Sequence, residues 1–418
     1  MDKFVFENGL QLLFEPSERS KSVALGVFVK AGVIDEDPKI QGVSHFLEHT
    51  TFKGTKKRTH FEIVNEFDSM GVSYNAYTDV DHTCYYFKSI VTNLEKATEI
   101  LSDIFYNSIY SKEEIEKERS VILQEHNDEF DDPEYLALKN LLNGIFPKYL
   151  GRDVIGNERT IKAISRDDIV SYKEKYYTPN GTIIGISGGI SFSEAKELVE
   201  KYFVTKGQII PRKELIHEEF VPCHKYQKKE VQQAQVNIAF YAGKARIDRV
   251  VSNIIISFVF GLQMSSRLFQ KVRDELGLCY AISGATQTVV KDTIFLISLS
   301  TEYKKVAEAA KAIKDEIDKF VEFGMTEKEL QTAKEQTKAK YIFTDESNYG
   351  RVSTIANQQF RFNEVWGLEE KIKAVDNITI EEVNKRIREI FNYDKVATSL
   401  LCSSKNIDLQ KILIGEKQ

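Results

Sequence analysis

The residues best suited to chemistry are two histidines and a glutamate in the segment His45-Phe46-Leu47-Glu48-His49. This H-x-x-E-H string inverts the better-known zinc-protease motif. In a helix, His45 and His49 lie four residues apart on one face, so both imidazoles can reach one metal ion, with Glu48 beside them. The spacing predicts a zinc site at which Glu48 acts as a general base rather than as a ligand.

A third ligand is needed, because catalytic zinc sites hold the metal with three protein groups and leave one position for water. Ser111 and Glu114 fit a capping box, which predicts a helix running to about residue 128. One stripe of that helix alternates isoleucine with glutamate: Ile115, Glu118, Ile122 and Glu125. Two carboxylates on such a stripe are costly unless a cation or hydrogen-bond donors meet them. We predict that Glu125 ligates zinc and that Glu118 supports the ligands from behind.

Two simpler interpretations compete with the metal site. An H-x-x-E-H string can occur by chance on a solvated helix, and a carboxylate stripe is often a salt-bridged helix face. The motif and the downstream glutamates together favour the metal. The remaining histidines are isolated and are interpreted as surface or hydrogen-bonded residues: His60, His82, His126, His217 and His224.

The chain has 418 residues, which is too long for one ordinary hydrophobic core and predicts two domains. Strand patterns cover residues 23–30, 235–241 and 293–300, and amphipathic helical patterns cover 306–323 and 326–342. This mixture favours an α+β fold of two duplicated domains. Each is expected to be a mixed, mostly antiparallel sheet with helices packed on it.

An internal repeat supports the duplication. The segment Ile161–Ile164 precedes a helical pattern and a strand, and Ile372–Val375 does the same about 211 residues later. Ser165 and Thr379 are positioned as N-caps of the two helices. We expect an N-terminal catalytic domain over 1–207 and a related, degenerate domain over 226–418. The Pro, Gly and charged residues between them predict a linker over 208–225.

Composition excludes several other classes of protein. A net charge of −6 without a long basic run argues against nucleic-acid binding. The longest apolar run, 254–262, is too short for a membrane span. The first residues are typical of a strand and turn rather than a secretory signal. The cysteines (Cys84, Cys223, Cys279, Cys402) are widely spaced, so we expect reduced thiols in a cytoplasmic protein.

The run Gly42–His49, followed by Phe52-Lys53-Gly54-Thr55, resembles the pitrilysin (M16) family of zinc peptidases, close to its processing-peptidase branch. Other matching segments are Asn75-Ala76-Tyr77-Thr78, Leu150-Gly151-Arg152, Gly156 and Ser265-Ser266-Arg267-Leu268-Phe269. The resemblance covers nearly the whole chain and implies a processing-peptidase-like metallohydrolase fold. Because the second half lacks H-x-x-E-H, one domain is expected to be active and the other degenerate.

The resemblance also implies roles for individual residues. In that family the third ligand lies 76 residues after the second histidine, and a supporting glutamate lies seven residues earlier; Glu125 and Glu118 match these positions. An arginine and a tyrosine seven apart in the second half reach substrate near the zinc, and Arg273 and Tyr280 match them. Chains of this length resemble half of a closed chamber and pair, often as homodimers. Arg273 and Tyr280 then serve either their own zinc or the partner's.

The segment Asn75-Ala76-Tyr77-Thr78 is expected to bind substrate. Residues 72–78 and 83–89 alternate as two strands around a short turn, which predicts a hairpin. In the resembled family this strand lies at a sheet edge and pairs with an extended peptide, with Asn75 holding the peptide backbone. The alternative is that Asn75 only orders the hairpin.

Two features depart from the resembled family. Lys148-Tyr149 precedes Leu150 where many relatives have His-Pro. The mitochondrial branch uses acidic residues after the glutamate ligand to bind an arginine upstream of the cut. Acidic residues are present here, but Tyr135 and Lys139 follow them: Glu129, Asp131, Asp132 and Glu134.

These features together predict a zinc-dependent endopeptidase that cleaves unfolded peptides or flexible protein segments. Glu48 accepts the proton of water and passes it to the leaving amine, while Tyr280 or Arg273 stabilises the developing oxyanion. One alternative is a non-catalytic peptide-binding or supporting subunit of a heteromeric peptidase, although such chains typically lose the histidines or the base. Another is a different zinc hydrolase, against which the substrate-strand motif argues.

Overall fold

The computed structural model describes residues 1–204 and 218–415, which form two compact units. The strands are β1 (Asp2–Val5), β2 (Gln11–Pro16), β3 (Ser22–Val29), β4 (Ser73–Thr78), β5 (Thr83–Ile90), β6 (Thr182–Gly188), β7 (His224–Lys228), β8 (Ala234–Lys244), β9 (Ala281–Val289), β10 (Asp292–Thr301) and β11 (Val396–Cys402). The α-helices are α1 (Val43–Thr51), α2 (His60–Ser69), α3 (Leu94–Asn107), α4 (Lys112–Asp131), α5 (Pro133–Ile145), α6 (Glu158–Ala163), α7 (Arg166–Tyr176), α8 (Phe192–Tyr202), α9 (Ile247–Phe260), α10 (Val306–Phe323), α11 (Glu327–Asp345), α12 (Asn348–Phe362), α13 (Leu368–Asn377), α14 (Ile380–Ile390) and α15 (Leu409–Ile414).

Each unit is built on one mixed sheet. The strand order in the first unit is β1-β2-β6-β3-β5-β4, and only the β2–β6 pair is parallel among its neighbours. The order in the second unit is β7-β11-β8-β10-β9, with a parallel β7–β11 pair. The predicted α+β class and mostly antiparallel sheets are confirmed.

The first sheet is buried on both faces, because successive side chains of its strands enter two different apolar clusters in alternation. On β3, Val23, Leu25, Val27 and Val29 enter the main apolar core with α1, α3 and α8. Ala24 and Phe28 point to the other face, where they pack against α12. The sheet therefore has a core side, which carries α1, and an outer side, which α12 covers.

One helix of each sequence half packs in the structural unit of the other half. The first unit contains residues 1–127, 153–204 and 343–367, and the second contains 128–152, 218–342 and 368–415. Helix α12 thus covers the first sheet, and α5 covers the second, where Ser399 Oγ donates to the carbonyl of Ala137 at 2.8 Å. The structural units are therefore discontinuous in sequence, unlike the contiguous domains 1–207 and 226–418 expected from the repeat. Those boundaries remain a prediction about the duplication.

Local sequence signals for the repeat agree with the structure. Ser165 and Thr379 are the N-caps of α7 and α14, and each forms a reciprocal capping box with an acidic residue three positions later. The strands β6 and β11 follow these helices as predicted. Most of the predicted linker, residues 208–217, lies outside the described residues. Among the residues described, no helix is long and apolar enough to cross a membrane.

Candidate metal centre

Helix α1 carries the H-x-x-E-H segment, and its apolar side fixes it to the core of the first unit. Phe46 and Leu47 are fully buried, whereas His45, Glu48 and His49 are half-buried on the other side of the helix. The helix begins at Gly42, whose φ of 92° lies in the left-handed region that favours glycine. The sequence periodicity alone thus separates the anchoring residues from the candidate site residues.

Helix α4 supplies the two glutamates predicted from its stripe. Ser111 Oγ accepts from the backbone N–H of Glu114 at 3.3 Å, as expected for the start of this helix. Ile115 and Ile122 are buried and anchor the stripe. Glu118 is buried with them, but the Glu125 side chain is 41% exposed. The stripe therefore runs from the core to a carboxylate that faces solvent.

Three side chains converge where the two helices meet. Glu125 Oε2 lies 3.3 Å from His49 Nε2 and 4.0 Å from His45 Nε2. One nitrogen or oxygen from each of the three residues lies within 4.8 Å of the others, and the two imidazole centroids are 4.5 Å apart. Ligands at about 2.0–2.1 Å from a tetrahedral zinc ion are separated by about 3.3–3.5 Å. The donor set and its spacing therefore fit a zinc ion, with small adjustment at His45.

The protonation of His45 also suits a metal ligand. Burial, together with the neighbouring His49, lowers the pKa of His45 to about 3, so its imidazole is neutral and keeps a free lone pair. Its Nδ1 is buried and has no hydrogen-bond partner among the described residues. A cation shared with Glu125 would give Nε2 of this ring a partner, because Nε2 lies 4.0 Å from Glu125 Oε2, too far for a direct hydrogen bond.

Behind His49, two charged residues form a chain that holds the ring. Glu118 Oε2 lies 3.3 Å from His49 Nδ1, and Glu118 Oε1 lies 2.8 Å from Lys53 Nζ. Burial acts to raise the pKa of Glu118, but contact with His49 and Lys53 outweighs it and lowers that pKa below its ordinary value. An ionised Glu118 favours the tautomer of His49 that carries its proton on Nδ1, which leaves Nε2 free to face Glu125.

Glu48 lies in the same turn of α1 but has a different partner. Its Oε2 accepts a 3.0 Å hydrogen bond from Thr78 Oγ1 on β4. Burial is the main cause that raises the pKa of Glu48 above its ordinary value. A carboxylate with a raised pKa beside a candidate metal set is suited to proton transfer.

Strand β4 lies at the edge of the first sheet, paired with β5 on one side. The exposed Asn75 uses its Oδ1 to accept from the backbone N–H of Ala76 at 2.8 Å. Thr78 points to the core side, where it meets Glu48. Tyr77 points to the outer side, where its hydroxyl lies 3.3 Å from His82 Nε2 and its ring packs with α12. The side chain of Tyr77 is therefore on the opposite face of β4 from Glu48.

Arg273 and Tyr280 lie side by side in the second unit. Arg273 belongs to a π-helical segment, Phe269–Glu275, and its guanidinium lies 4.4 Å from the Phe269 ring centroid and 5.8 Å from that of Tyr280. Tyr280 is 74% exposed. Their spacing in sequence thus places a cation beside an accessible phenol hydroxyl.

A second cluster that resembles a metal set is engaged internally. Asp79, Asp81 and His82 lie close together in the turn between β4 and β5. His82 Nδ1 is 2.7 Å from Asp81 Oδ1, and its Nε2 faces the Tyr77 hydroxyl, so both ring nitrogens already have partners. This cluster secures the hairpin turn and offers no free imidazole lone pair.

The two departures from the resembled family have structural partners in the second unit. The buried Glu218 carboxylate accepts from the backbone N–H groups of Lys148, Tyr149 and Leu150 at 2.5–3.0 Å. This loop is therefore held by a glutamate from the start of the second described range. Among the acidic residues, Asp132 caps α5 and Asp131 lies 3.5 Å from Lys229. These two carboxylates have structural partners of their own.

Comparisons with known proteins agree with this architecture. Residues 12–158 match the model described as Insulinase (Peptidase family M16), and 163–337 match Peptidase M16 inactive domain. The chain belongs to peptidase family M16. A Bacillus subtilis member named "Uncharacterized zinc protease YmxG" is 30% identical over 97% of this chain and 99% of its own length. A Rickettsia bellii member named "Uncharacterized zinc protease" is 30% identical over 96% and 97%.

Solved structures show the same M16-like fold. A protease from Helicobacter pylori superposes with a TM-score of 0.88 at 21% identity, covering 96% of this chain and 99% of its own. A putative M16-like peptidase from Alicyclobacillus acidocaldarius gives a TM-score of 0.83 at 21% identity, covering 96% and 97%. At these identities the likeness extends to the fold of both units.

Proposed function

We propose that this M16 protein is a zinc-dependent endopeptidase that cleaves unfolded peptides or flexible protein segments. The observation that carries the proposal is the convergence of His45 Nε2, His49 Nε2 and Glu125 Oε2, with the Glu48 carboxylate in the adjacent turn. Zinc bound to such a set supplies Lewis acidity, which polarises a carbonyl and acidifies a water molecule. The names of the curated relatives support zinc as the metal.

Glu48 is assigned the proton transfers. Its raised pKa favours acceptance of a proton from water during attack and return of that proton to the departing amine. Thr78 Oγ1 holds one carboxylate oxygen at 3.0 Å, which orients the other toward the reacting atoms. Glu118 and Lys53 keep His49 oriented, so each charged group at the centre has a distinct task.

The peptide is assigned to the free edge of β4. An extended segment can pair with the outward backbone groups of this strand, so recognition depends on main-chain contacts and tolerates many sequences. Asn75 Oδ1 occupies the outward N–H of Ala76, and a peptide carbonyl can take its place while the amide of Asn75 binds the peptide. Arg273 and Tyr280 are proposed to stabilise the oxyanion from the second unit, in the same chain or in a partner.

The proposal includes a cytoplasmic homodimer, or a heterodimer with a related chain, as the resemblance implies. Light scattering of the purified protein measures its molar mass and thereby tests whether it forms a homodimer. The competing function is that of a non-catalytic peptide-binding subunit. The presence of the base beside the three candidate ligands favours catalysis, because a binding subunit does not need Glu48.

The test is metal analysis together with cleavage of an unfolded protein, with and without a chelator. Glu48→Gln should retain stoichiometric zinc and lose cleavage by about 10²–10⁴-fold, because the amide cannot accept the proton. The matched control is Glu113→Gln on α4, whose side chain is 78% exposed and forms an ion pair with Lys117 at 2.8 Å. It should retain both zinc and activity.

Two outcomes contradict the proposal. A wild-type protein that binds peptide but neither binds zinc nor cleaves is the supporting subunit. Equal loss of zinc in Glu48→Gln and His49→Ala shows that Glu48 is a ligand and not a base.

A further inference from the structure

Helix α1 lacks the local side-chain cap that four other helices of the first unit possess. Its N-cap residue is Gly42, which has no side chain, whereas α2, α6, α7 and α8 each begin with a capping box from their own Ser, Thr or Asn. The first four N–H groups of a helix have no partner within it and need acceptors when they are buried. The first turn of the helix that carries the candidate ligands therefore depends on a residue from elsewhere.

That residue is Glu36, six positions before the N-cap. Its carboxylate is 4% exposed and spans the start of the helix: Oε2 accepts from the Gly42 N–H at 2.7 Å, and Oε1 accepts from the Ser44 N–H at 2.9 Å. Ser44 Oγ donates to the same Oε1. An anion at this end also interacts favourably with the helix dipole. Because His45 follows Ser44 directly, the carboxylate fixes the backbone beside the first candidate ligand.

The loop that carries Glu36 is itself fixed to the β4–β5 turn. The N–H of Ile34 donates to the carbonyl of Val80 at 3.1 Å. A Cβ added to Gly32 would lie 2.5 Å from the carbonyl oxygen of Asp79, so only glycine permits this backbone contact. The same turn follows Thr78, which holds Glu48. Residues 32–36 thus connect the start of α1 to the strand that orients the base.

A second backbone contact restricts the same helix end. A Cβ on Gly42 would lie 2.2 Å from the carbonyl oxygen of Ile155, and a Cβ on Gly156 would lie 2.4 Å from that of Gln41. The backbone before α1 therefore packs directly against residues 155–156, while the carboxylate of Glu36 accepts from the N–H groups of Gly42 and Ser44.

We propose that Glu36 is a positioning residue of the candidate metal centre: it fixes the first turn of α1, and thereby the separation of His45 and His49 from Glu125 and of Glu48 from β4. The inference rests on the proposed function, since it assigns Glu36 to the same ligand set. Glu36 acts on the ligands through the backbone N–H groups of Gly42 and Ser44.

The experiment compares Glu36→Gln with Asp37→Asn in the full-length protein. Both remove one negative charge from neighbouring positions, but Asp37 is exposed, and its carboxylate accepts from the nearby backbone N–H of Lys39 at 2.8 Å. Glu36→Gln replaces an acceptor with an amide NH₂ that faces a donor. It should weaken zinc binding by about 10–100-fold, the range found when groups that orient ligands are changed. Asp37→Asn should match the wild type.

Two further measurements separate positioning from general stability. Amide hydrogen exchange at residues 42–46 should rise at least about tenfold in Glu36→Gln, while α2, with its own Thr59 capping box, should be unchanged. The visible spectrum of the cobalt-substituted protein should also change. Ser44→Ala, which removes one donor to the carboxylate, should give a smaller effect in the same direction. If Glu36→Gln does not fold, the zinc affinity and hydrogen exchange of Ser44→Ala test the inference in its place.

Wild-type zinc affinity and local exchange in Glu36→Gln would overturn the inference. So would faster exchange throughout the first unit with an unchanged cobalt spectrum, since that pattern reports only lost stability. A wild-type protein without zinc affinity refutes the proposed function instead; exchange at residues 42–46 then decides by itself whether Glu36 fixes α1.

Discussion

The covering of the first sheet by α12 can be tested at the closest approach between them. Gly185 on β6 and Gly26 on β3 face this helix, and a Cβ built on Gly185 would lie 2.9 Å from Val352 Cγ1. The next neighbours of that Cβ, Phe28 Cε2 at 3.5 Å and the Val352 carbonyl oxygen at 3.6 Å, are at ordinary contact distances. Gly185→Ala therefore introduces one conflict, with a single methyl group.

The expected costs follow from this geometry. Overpacking by one methyl group costs about 1–3 kcal/mol, reduced by about 0.5–1 kcal/mol because alanine is favoured over glycine within a strand. Val352 is fully buried, and Val352→Ala removes two methyl groups. Transfer and cavity contributions for that change amount to about 2–3 kcal/mol. In the double variant the new methyl occupies space left by Cγ1. The loss of unfolding free energy in the double variant should therefore be about 1–2 kcal/mol smaller than the sum of the losses in the two single variants.

The assay uses Trp366, the single tryptophan of the chain. It follows α12, and its backbone N–H donates to Gln358 Oε1 at 2.9 Å. Urea titration followed by tryptophan fluorescence thus reports on the first unit, and equal m-values across variants are required before the free energies of unfolding are compared.

Val199→Ala is the matched control. Val199 is fully buried in the same unit but packs in the core on the opposite side of the sheet. Its cost should add to that of Gly185→Ala within about 0.5 kcal/mol. Additive costs for Gly185→Ala and Val352→Ala would refute the contact between β6 and α12, and with it the exchange of helices between sequence halves.

Two further predictions concern the candidate site. Glu125→Gln should lower zinc affinity more than Glu118→Gln does, because Glu125 Oε2 faces both imidazoles whereas Glu118 faces only the imidazole of His49, at Nδ1. Zinc titration measures this, and the reverse order would make Glu118 the ligand. Asn75→Ala should lower kcat/KM for all peptides by a similar factor of about 10, since the change affects backbone recognition, whereas Tyr77→Phe should leave sequence preference unchanged because its hydroxyl faces His82. A changed cleavage preference in Tyr77→Phe would place that side chain against substrate.

Local sequence patterns predicted much of the fold. The helix over Val306–Phe323 has the predicted bounds, and the N-caps at Ser165 and Thr379 are where the sequence indicates them. These features depend on periodicity and on hydrogen bonds between residues a few positions apart, so they can be recognised without knowledge of the fold.

The candidate ligands, the base and the supporting Glu118 could also be named from sequence. His45, Glu48 and His49 share one helix, and the isoleucine–glutamate stripe of α4 singled out Glu118 and Glu125 before any packing was known. The supporting residues could not be named in this way. Lys53 meets Glu118 through the packing of α1 on α4, and Glu36 reaches α1 through a loop that the β4–β5 turn holds in place. A single charged residue in a loop has no periodic signal that distinguishes it from a solvated one.

Tertiary structure alone decided which sheet each helix covers and which way β4 faces. Helices α5 and α12 both carry buried apolar residues, and on that ground alone either could pack on the sheet of its own half. Gly26 and Gly185 lack side chains and so leave room on the first sheet for α12 to pack closely. The two glycines form one such surface only because β3 and β6 are neighbours in the sheet. Likewise, alternation along β4 predicts two faces without saying which one meets Glu48. That choice follows from strand register and from the apolar surface on each side, which are set by contacts between residues far apart in the chain.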